Sequence, residues 1–445
     1  MKQTSVVTVF LCHKGKVCLV RRSSNVRTHK GRWSGISGYL EGDPNEHFMV
    51  ELQEETSLTS YEYTLVRQAK PLVIHDDRDE QLWCVHPFLC EIHDPKMIRL
   101  DWENTELEWI EPEEMQNRDT VPGLWEVYET VSRSPLEKEV NDFQHQIRHD
   151  RDSGARQIAI CALDFLKGVC ETTNAASTRT ILDDIEFVCK QLGTIRPSMA
   201  IISTTLELLF RDICSVRSLD SKAALKKIPR IIENHRKEMD LSAELAVRHI
   251  RDILKEGSAV LVHSYSSSIN AALNILKEKD CSLVVTESRP CLEGRRTARI
   301  ASEIGLRVIL VTDALAAHAL QGVDTVLLGV DSIEQDGSVI NKAGSRQIAV
   351  AAHAAGIKVY YLGEMRKICI HEEPVELEEH DSEEVWEDAP AGILVRNVYF
   401  DRTAPRYISG IILEKDVVEP YQIKKIASSL GAFSRDISHK GFHLL

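Results

Sequence analysis

The sequence predicts an α/β protein built in three successive parts: a mixed strand-and-helix domain over residues 1–134, a helical subdomain over 135–255, and a doubly wound parallel sheet over 256–445. Three patterns predict it. The first part combines short alternating apolar–polar runs with one acidic helix. The second carries apolar residues at helical spacing. The third alternates five short, uniformly apolar runs with helical segments, as repeated β-α units do. A chain of 445 residues is too long for one hydrophobic core, and 43% hydrophobic residues supply more than one.

Along the chain, VVTVFLC and KVCLVRR flank a Lys-Gly turn and read as a hairpin. QLWCVHPFLCEI and LEWIEP are further strands, with PNEHFMVELQEET as a helix between the hairpin and them. LEKEVNDFQHQI, RQIAICALDFLKGVC, RTILDDIEFVCKQL, MAIISTTLELLFRDIC and AELAVRHIRDILKE supply the helical layer. SAVLVHSY, SLVVTES, RVILVTD, TVLLGVD and KVYYLGE lack polar alternation, so each is expected to be buried on both faces. In such a sheet the ligand lies at the carboxyl ends of the strands, where four of these runs finish in His263, Glu287, Asp313 and Asp331.

Composition narrows the function classes. No apolar run approaches the ~20 residues of a membrane helix, and the N-terminal hairpin does not resemble a signal peptide, so a cytoplasmic protein is expected. The 11 cysteines include no CxxC pair and lie mostly in apolar runs, as buried reduced thiols do. A net charge of -14 argues against general nucleic-acid binding. Ten acidic residues and no Lys or Arg fall between His371 and Pro390, which reads as a solvated loop or, alternatively, a docking segment.

Glu51, Glu54 and Glu55 are spaced i, i+3, i+4 and share a helical face. Their mutual repulsion would be relieved by a hard cation such as Mg²⁺ or Mn²⁺, which could also bind a diphosphate and activate water, with Glu54 as the catalytic candidate. A solvated face is the alternative. The surrounding segment, GRWSGISGYLEGDPNEHFMVELQEETSL, resembles the Nudix box: Gly31 and Trp33 match its approach, Gly38, Glu41 and Gly42 its start, and Glu51-Leu52-Gln53-Glu54-Glu55 its acidic signature. The resemblance implies an α/β/α sandwich and Mg²⁺-dependent hydrolysis of a nucleoside diphosphate linked to another group, or a sensor derived from it. Val50 stands where the family has arginine, Ser57 where it has glycine, and the box is shortened between Gly38 and Glu51.

In the second half, Gly154 and Ala155 start one helical segment and Ser266 and Ser267 another, where backbone N–H groups can meet an anion. Arg196 and Lys342 could supply positive charge and Asn341 a neutral hydrogen bond. Glu287, Arg289 and Arg295 occupy the loop after the second strand run. N-caps, turns and surface ion pairs are the plain alternatives. Six motifs occur in order: Asp152-Ser153-Gly154-Ala155, Arg196-Pro197-Ser198, VTESRPCLEGRRTA, VTDALAAHAL, GVDSIEQDGSVINKAGS and FDRTAP. Together they resemble the family of the initiation factor 2B regulatory subunits, methylthioribose-1-phosphate isomerase and ribose-1,5-bisphosphate isomerase.

That resemblance implies a Rossmann-like domain that binds a phosphorylated sugar or nucleotide, and a homodimer through the sheet domain. Asp331 matches the isomerases' catalytic aspartate, but Tyr265 stands at the position aligned with their catalytic cysteine. No cysteine lies between Cys214 and Cys281 to replace it. Three readings follow: a sugar-phosphate or nucleotide binder with a Nudix-like domain, an active aldose–ketose isomerase using Tyr265 or His263, and an initiation-factor-like regulatory subunit.

Overall fold

The computed structural model describes residues 2–76, 78, 80–132, 136–150, 153–173 and 177–438. The expected boundary at 134/135 and the motif residue Asp152 lie outside them. The chain divides into two compact units, Met1–Lys138 and Glu139–Leu445. No helix among the described residues is long and apolar enough to cross a membrane.

The first unit runs β1 (Lys2–His13), β2 (Lys16–Arg22), β3 (Trp33–Ser34), β4 (Ile36–Tyr39), α1 (Pro44–Thr56), β5 (Tyr63–Gln68), β6 (Leu72–Asp76), β7 (Gln81–Ile92), β8 (Asn104–Ile110) and α2 (Leu124–Ser132). β1 pairs parallel with β7 and antiparallel with β2 and β4. Side chains alternate across a strand, so β1 feeds two cores. Val7, Val9 and Leu11 pack with Phe48 and Leu52 of α1. Phe10 packs on the other face with Leu124, Val127 and Val131 of α2. This is the α/β/α sandwich. Asp43 caps α1 by accepting from the Asn45 N–H, with Pro44 in the first turn. Ser57 ends the helix at φ +59°, a left-handed conformation that explains why a glycine suits this position.

The second unit opens with six helices, α3 (Glu137–His149), α4 (Ala155–Thr172), α5 (Thr178–Gly193), α6 (Ala200–Ile213), α7 (Ser221–Arg248) and α8 (Ile250–Ile253). Then come β9 (Ala259–His263), α9 (Ser267–Glu278), β10 (Ser282–Thr286), α10 (Glu293–Glu303), β11 (Arg307–Val311), α11 (Ala316–Ala319), β12 (Thr325–Gly329), β13 (Ser332–Ile333), β14 (Val339–Lys342), α12 (Ser345–Ala354), β15 (Lys358–Leu362), β16 (Phe400–Thr403), β17 (Gly410–Ile412), β18 (Val417–Val418) and α13 (Ile423–Ser438). The large sheet has the order β11-β10-β9-β12-β15-β17-β18, parallel except for β18. The order reverses between β9 and β12, which opens a crevice at their carboxyl ends. A small antiparallel sheet, β13-β14-β16, stands beside that end.

The apolar runs are buried on both faces, as expected, in four cases of five. Leu261 and Leu328 enter one core, while Val260, Val262 and Leu327 enter the other. β11 departs from the expectation. It is the edge strand, and Ile309 (60% exposed) and Leu310 (45%) face solvent. Gly294, at the start of α10, lets that helix sit directly on β10: a Cβ there would stand 1.8 Å from the Thr286 carbonyl oxygen.

Candidate functional site

The crevice of the second unit has a volume of about 570 Å³ and draws its walls from segments far apart in sequence. Gly154 N-caps α4 and Ala155 begins it; Ser266 N-caps α9 and Ser267 begins it. Both helix N-termini line the crevice. Their unsatisfied N–H groups and dipoles favour an anion there. β12 ends at Gly329 because the chain crosses Ser266 and Asn341 closely: an added Cβ would lie 2.9 Å from the Ser266 Cβ and 3.5 Å from Asn341 Oδ1.

Asp331 follows after Val330 and lies half-buried in the crevice. Burial raises its carboxyl to about 6, against the pull of Lys367 and Lys342. Such a group changes charge just below neutral pH, as a proton-transfer group should. Lys342 is buried, donates to Glu293 Oε1 at 2.7 Å, and lies 4.1 Å from the centre of the Tyr399 ring. Asn341 Nδ2 donates to Ser345 Oγ at 2.9 Å.

Other expected site residues have different tasks. Arg196 lines the crevice, but its guanidinium is engaged: Nη1 donates to Glu378 at 3.1 Å, and Nη2 reaches the carbonyls of Ile147, Arg148 and Asp150 at 3.1–3.2 Å. It is a staple before it is a phosphate ligand. Glu287, Arg289 and Arg295 do not line the crevice. Glu287 and Arg295 pair with each other at 2.9 Å, and Arg289 donates to the Val385 carbonyl. Asp313 holds their loop by accepting from the N–H groups of Ser288 and Arg289. His263 is enclosed: Nε2 donates to the Ala343 carbonyl at 2.9 Å, while Nδ1 faces Thr286 Oγ1 and Ser288 Oγ. With both ring nitrogens used, and its pKa lowered by burial, His263 is a structural neutral imidazole and offers no free base. Tyr265 lines the crevice under the Arg296 guanidinium, 3.9 Å from ring to cation.

The acidic run from His371 to Pro390 is more than a solvated loop. Most of its carboxylates are exposed, but Glu378 turns inward and accepts from Ser198 Oγ at 2.6 Å, Ser198 N at 3.2 Å and Arg196. Burial alone would raise the Glu378 carboxyl; bonds from His380, Ser198 and Arg196 outweigh it and hold it at about 2. His380, Asp381 and Glu384 thereby become part of the crevice wall. The sequence reading also missed Arg156, Glu293, Lys367 and Tyr399, which line the same crevice. Arg366-Lys367, two buried cations just after an apolar strand, were the available signal. None of the eleven cysteines forms a disulfide, and only Cys291 is exposed. Its Sγ lies 3.0 Å from the Tyr399 hydroxyl, so a thiol does reach the rim of the crevice, from the loop between β10 and α10.

In the first unit a second cleft, also about 570 Å³, is lined by Glu41, Glu51, Glu54 and Glu103 together with Arg22, Tyr39 and Trp83. The three signature glutamates part company there. Glu54 is exposed, and Glu51 pairs with His47 Nε2 at 2.9 Å. Glu55 is buried and accepts from Ser37 N at 3.0 Å and Asn104 Nδ2 at 2.6 Å. Among the described residues no group of three or more His, Cys, Asp or Glu gathers closely enough to hold a metal ion. A magnesium ion completed by water needs only one or two carboxylates, and Glu51 and Glu54 fit that lesser demand if His47 yields. Glu55 does not.

Residues 151–420 match the Initiation factor 2 subunit family and residues 1–131 the NUDIX domain. Ribose 1,5-bisphosphate isomerase of Pyrococcus furiosus is 31% identical over 304 residues, spanning 64% of this chain and 91% of that protein. A putative translation initiation factor eIF-2B subunit 2-like protein of Pyrococcus abyssi is 27% identical, spanning 64% and 98%. The crystal structure of the Pyrococcus horikoshii OT3 translation initiation factor eIF-2B superposes with a TM-score of 0.56 at 23% identity, over 64% of this chain and 98% of that one, which is a likeness of fold.

The Glu55 carboxyl makes a prediction. Burial raises it to about 8, only partly offset by Asn104 and Ser37. A carboxyl raised on folding favours the protonated native state, so its contribution to stability is complete below the unfolded value near ~4.3 and is lost as pH rises through 8. Glu55→Gln should match the wild type in melting temperature at pH 5 and exceed it at pH 9. Equal melting temperatures at both would show that Glu55 is ionised at no cost.

Proposed function

Because this chain belongs, through residues 151–420, to the Initiation factor 2 subunit family, we propose that its second unit binds a phosphorylated sugar, with a nucleotide as the alternative ligand, and does not isomerise it at an appreciable rate. The observation that carries this is the convergence of the α4 and α9 N-termini with Asn341 and Lys342 around Asp331. The relationship to ribose 1,5-bisphosphate isomerase supports a pentose phosphate as the occupant. Moving a proton between neighbouring carbons needs an acid and a base, and Asp331 can be one. Tyr265 offers a phenol, a poorer proton acceptor than a thiol, and His263 is enclosed. The same relatives favour the isomerase as the second reading. Calorimetry should show ribose 1,5-bisphosphate binding that weakens about tenfold or more in Lys342→Gln, the loss of one charge-assisted bond. Ketose formation followed by NMR should stay at background. Conversion abolished by Asp331→Asn would establish the isomerase instead, and no binding of any sugar phosphate or nucleotide would sink both.

For the first unit, a Nudix-type cleft, the proposal is Mg²⁺ or Mn²⁺ at Glu51 and Glu54 in the presence of a diphosphate ligand. The cation would supply Lewis-acid charge, and Glu51 and Glu54 would orient it. Support comes from the mutual repulsion of Glu51, Glu54 and Glu103, which raises the Glu51 carboxyl after burial has done so, while His47 lowers it. Calorimetric Mn²⁺ titration should give weaker binding in Glu54→Gln; indistinguishable isotherms would remove the cation from the cleft.

A homodimer through the sheet domain is the third part. Ile309, Leu310 and Leu315 leave apolar surface open along the edge strand β11, whose free backbone groups can also pair. Light scattering should report a dimer that Ile309→Lys converts to monomer. A wild-type monomer, or a dimer indifferent to Ile309→Lys, would remove this edge as the interface.

A further inference from the structure

The cleft of the first unit has two chemically different halves, set on opposite faces of its sheet. Directly paired residues point to the same face, and successive residues along a strand to opposite faces. Gly38 pairs with Val7 on the α1 face, where its missing side chain leaves room for the Glu51 carboxylate. Tyr39, the next residue, pairs with Val6, and Val6 with Val85, so Tyr39, Val85 and Trp83 share the α2 face. With Leu124 and Val127 of α2 they give this half of the cleft an aromatic and apolar wall. The Tyr39 and Trp83 rings lie 6.2 Å apart, tilted by 40°, and Tyr39 is exposed.

His29 sets a polar group against that wall. Its ring lines the cleft with its centre 6.0 Å from that of Trp83. Nε2 lies 2.7 Å from Asp76 Oδ2, and the side chains are 13% and 2% exposed. An ionised carboxylate only accepts, so Nε2 carries the proton and the ring orientation is fixed. Trp83 Nε1 makes a longer contact of 3.5 Å to the same oxygen, and the Arg78 N–H donates to Oδ1 at 3.2 Å. His29 has φ +52°, a left-handed conformation uncommon for a residue with a Cβ. The β2–β3 loop is folded back to hold it there: Arg22 Nε donates to the Thr28 carbonyl at 3.2 Å and Arg21 Nε to the Gly31 carbonyl at 3.1 Å. A strained residue, oriented by a buried carboxylate and facing a cleft, is an arrangement found where ligands are gripped.

We propose that this half of the cleft seats a planar heteroaromatic ring, such as a nucleobase, without needing a divalent cation: the ring packs on Tyr39 and Trp83, and His29 hydrogen-bonds its polar edge. Asp76 is the positioning residue for the imidazole. A ring with apolar faces and a polar edge matches a wall of aromatic and aliphatic side chains carrying one oriented hydrogen-bonding group. The cleft volume of about 570 Å³ is that of a small-molecule site. The ring seat goes beyond the cation reading of Glu51 and Glu54 and does not rest on it, because none of its residues belongs to the acidic helix.

The test is equilibrium dialysis of the full-length protein against adenosine, guanosine, uridine and nicotinamide riboside, in EDTA and again in Mg²⁺. At least one nucleoside should bind with the same dissociation constant in both. Tyr39→Ala should weaken it about tenfold or more, and Tyr39→Phe should restore it. His29→Ala should cost as much. Asp76→Ala should match His29→Ala, and the double variant should be no weaker than either, because Asp76 acts through the imidazole. Additive losses would overturn that positioning role. No nucleoside binding, binding lost in EDTA, or binding indifferent to Tyr39→Ala and His29→Ala would overturn the ring seat. Tyr39 is on the surface, so its variants decide the matter if Asp76→Ala fails to fold. Mn²⁺ isotherms indistinguishable between wild type and Glu54→Gln would remove the cation and leave the ring seat measured on its own.

Discussion

The structure of the second unit depends on one topological constraint, the reversal of strand order between β9 and β12. The two strands are neighbours, yet the chain leaves them toward opposite sides of the sheet, so no connection fills the gap above their carboxyl ends. Everything that makes the site is a response to that gap. α9 begins at its lip, Gly329 thins the β12 end to let Ser266 and Asn341 approach, and β13-β14-β16 builds a second wall. The helical layer contributes the α4 N-terminus from the far side.

The site has a basic interior in an acidic protein, and it neutralises itself. Lys342 pairs with Glu293 and Arg196 with Glu378. These pairs avoid the cost of unpaired buried charge in the ligand-free chain. They also mean that an arriving phosphate competes with carboxylates already in position, so its binding is a difference between two sets of bonds.

The sequence reached the fold because hydrophobic periodicity is local: alternation in β1 and uniform burial in β9, β10, β12 and β15 are visible in a few residues. β11 misled for the same reason, since an apolar run does not state whether it lies at the centre or the edge of a sheet. The site was legible where one motif supplies both backbone and side chain, as at Gly154, Ser266 and Asn341-Lys342. It was not legible where long-range pairing reassigns a charge. Arg196 looks like a free cation until Glu378, 182 residues away, engages it. Glu55 belongs to a glutamate cluster until Asn104 and Ser37 draw it into the core. The thiol at Cys291 was missed because proximity in sequence stood in for proximity in space.

Arg196 has a consequence for how the protein comes apart. One guanidinium grips three carbonyls at the end of α3 and, with Ser198, the inward carboxylate of the acidic run. Segments that would otherwise fray independently are thereby fastened at one point. A fluctuation that frees the run must also release the α3 end or leave a buried guanidinium without its carboxylate. The two segments therefore open as one cooperative piece, a single foldon whose amide hydrogens exchange together although more than two hundred residues separate them.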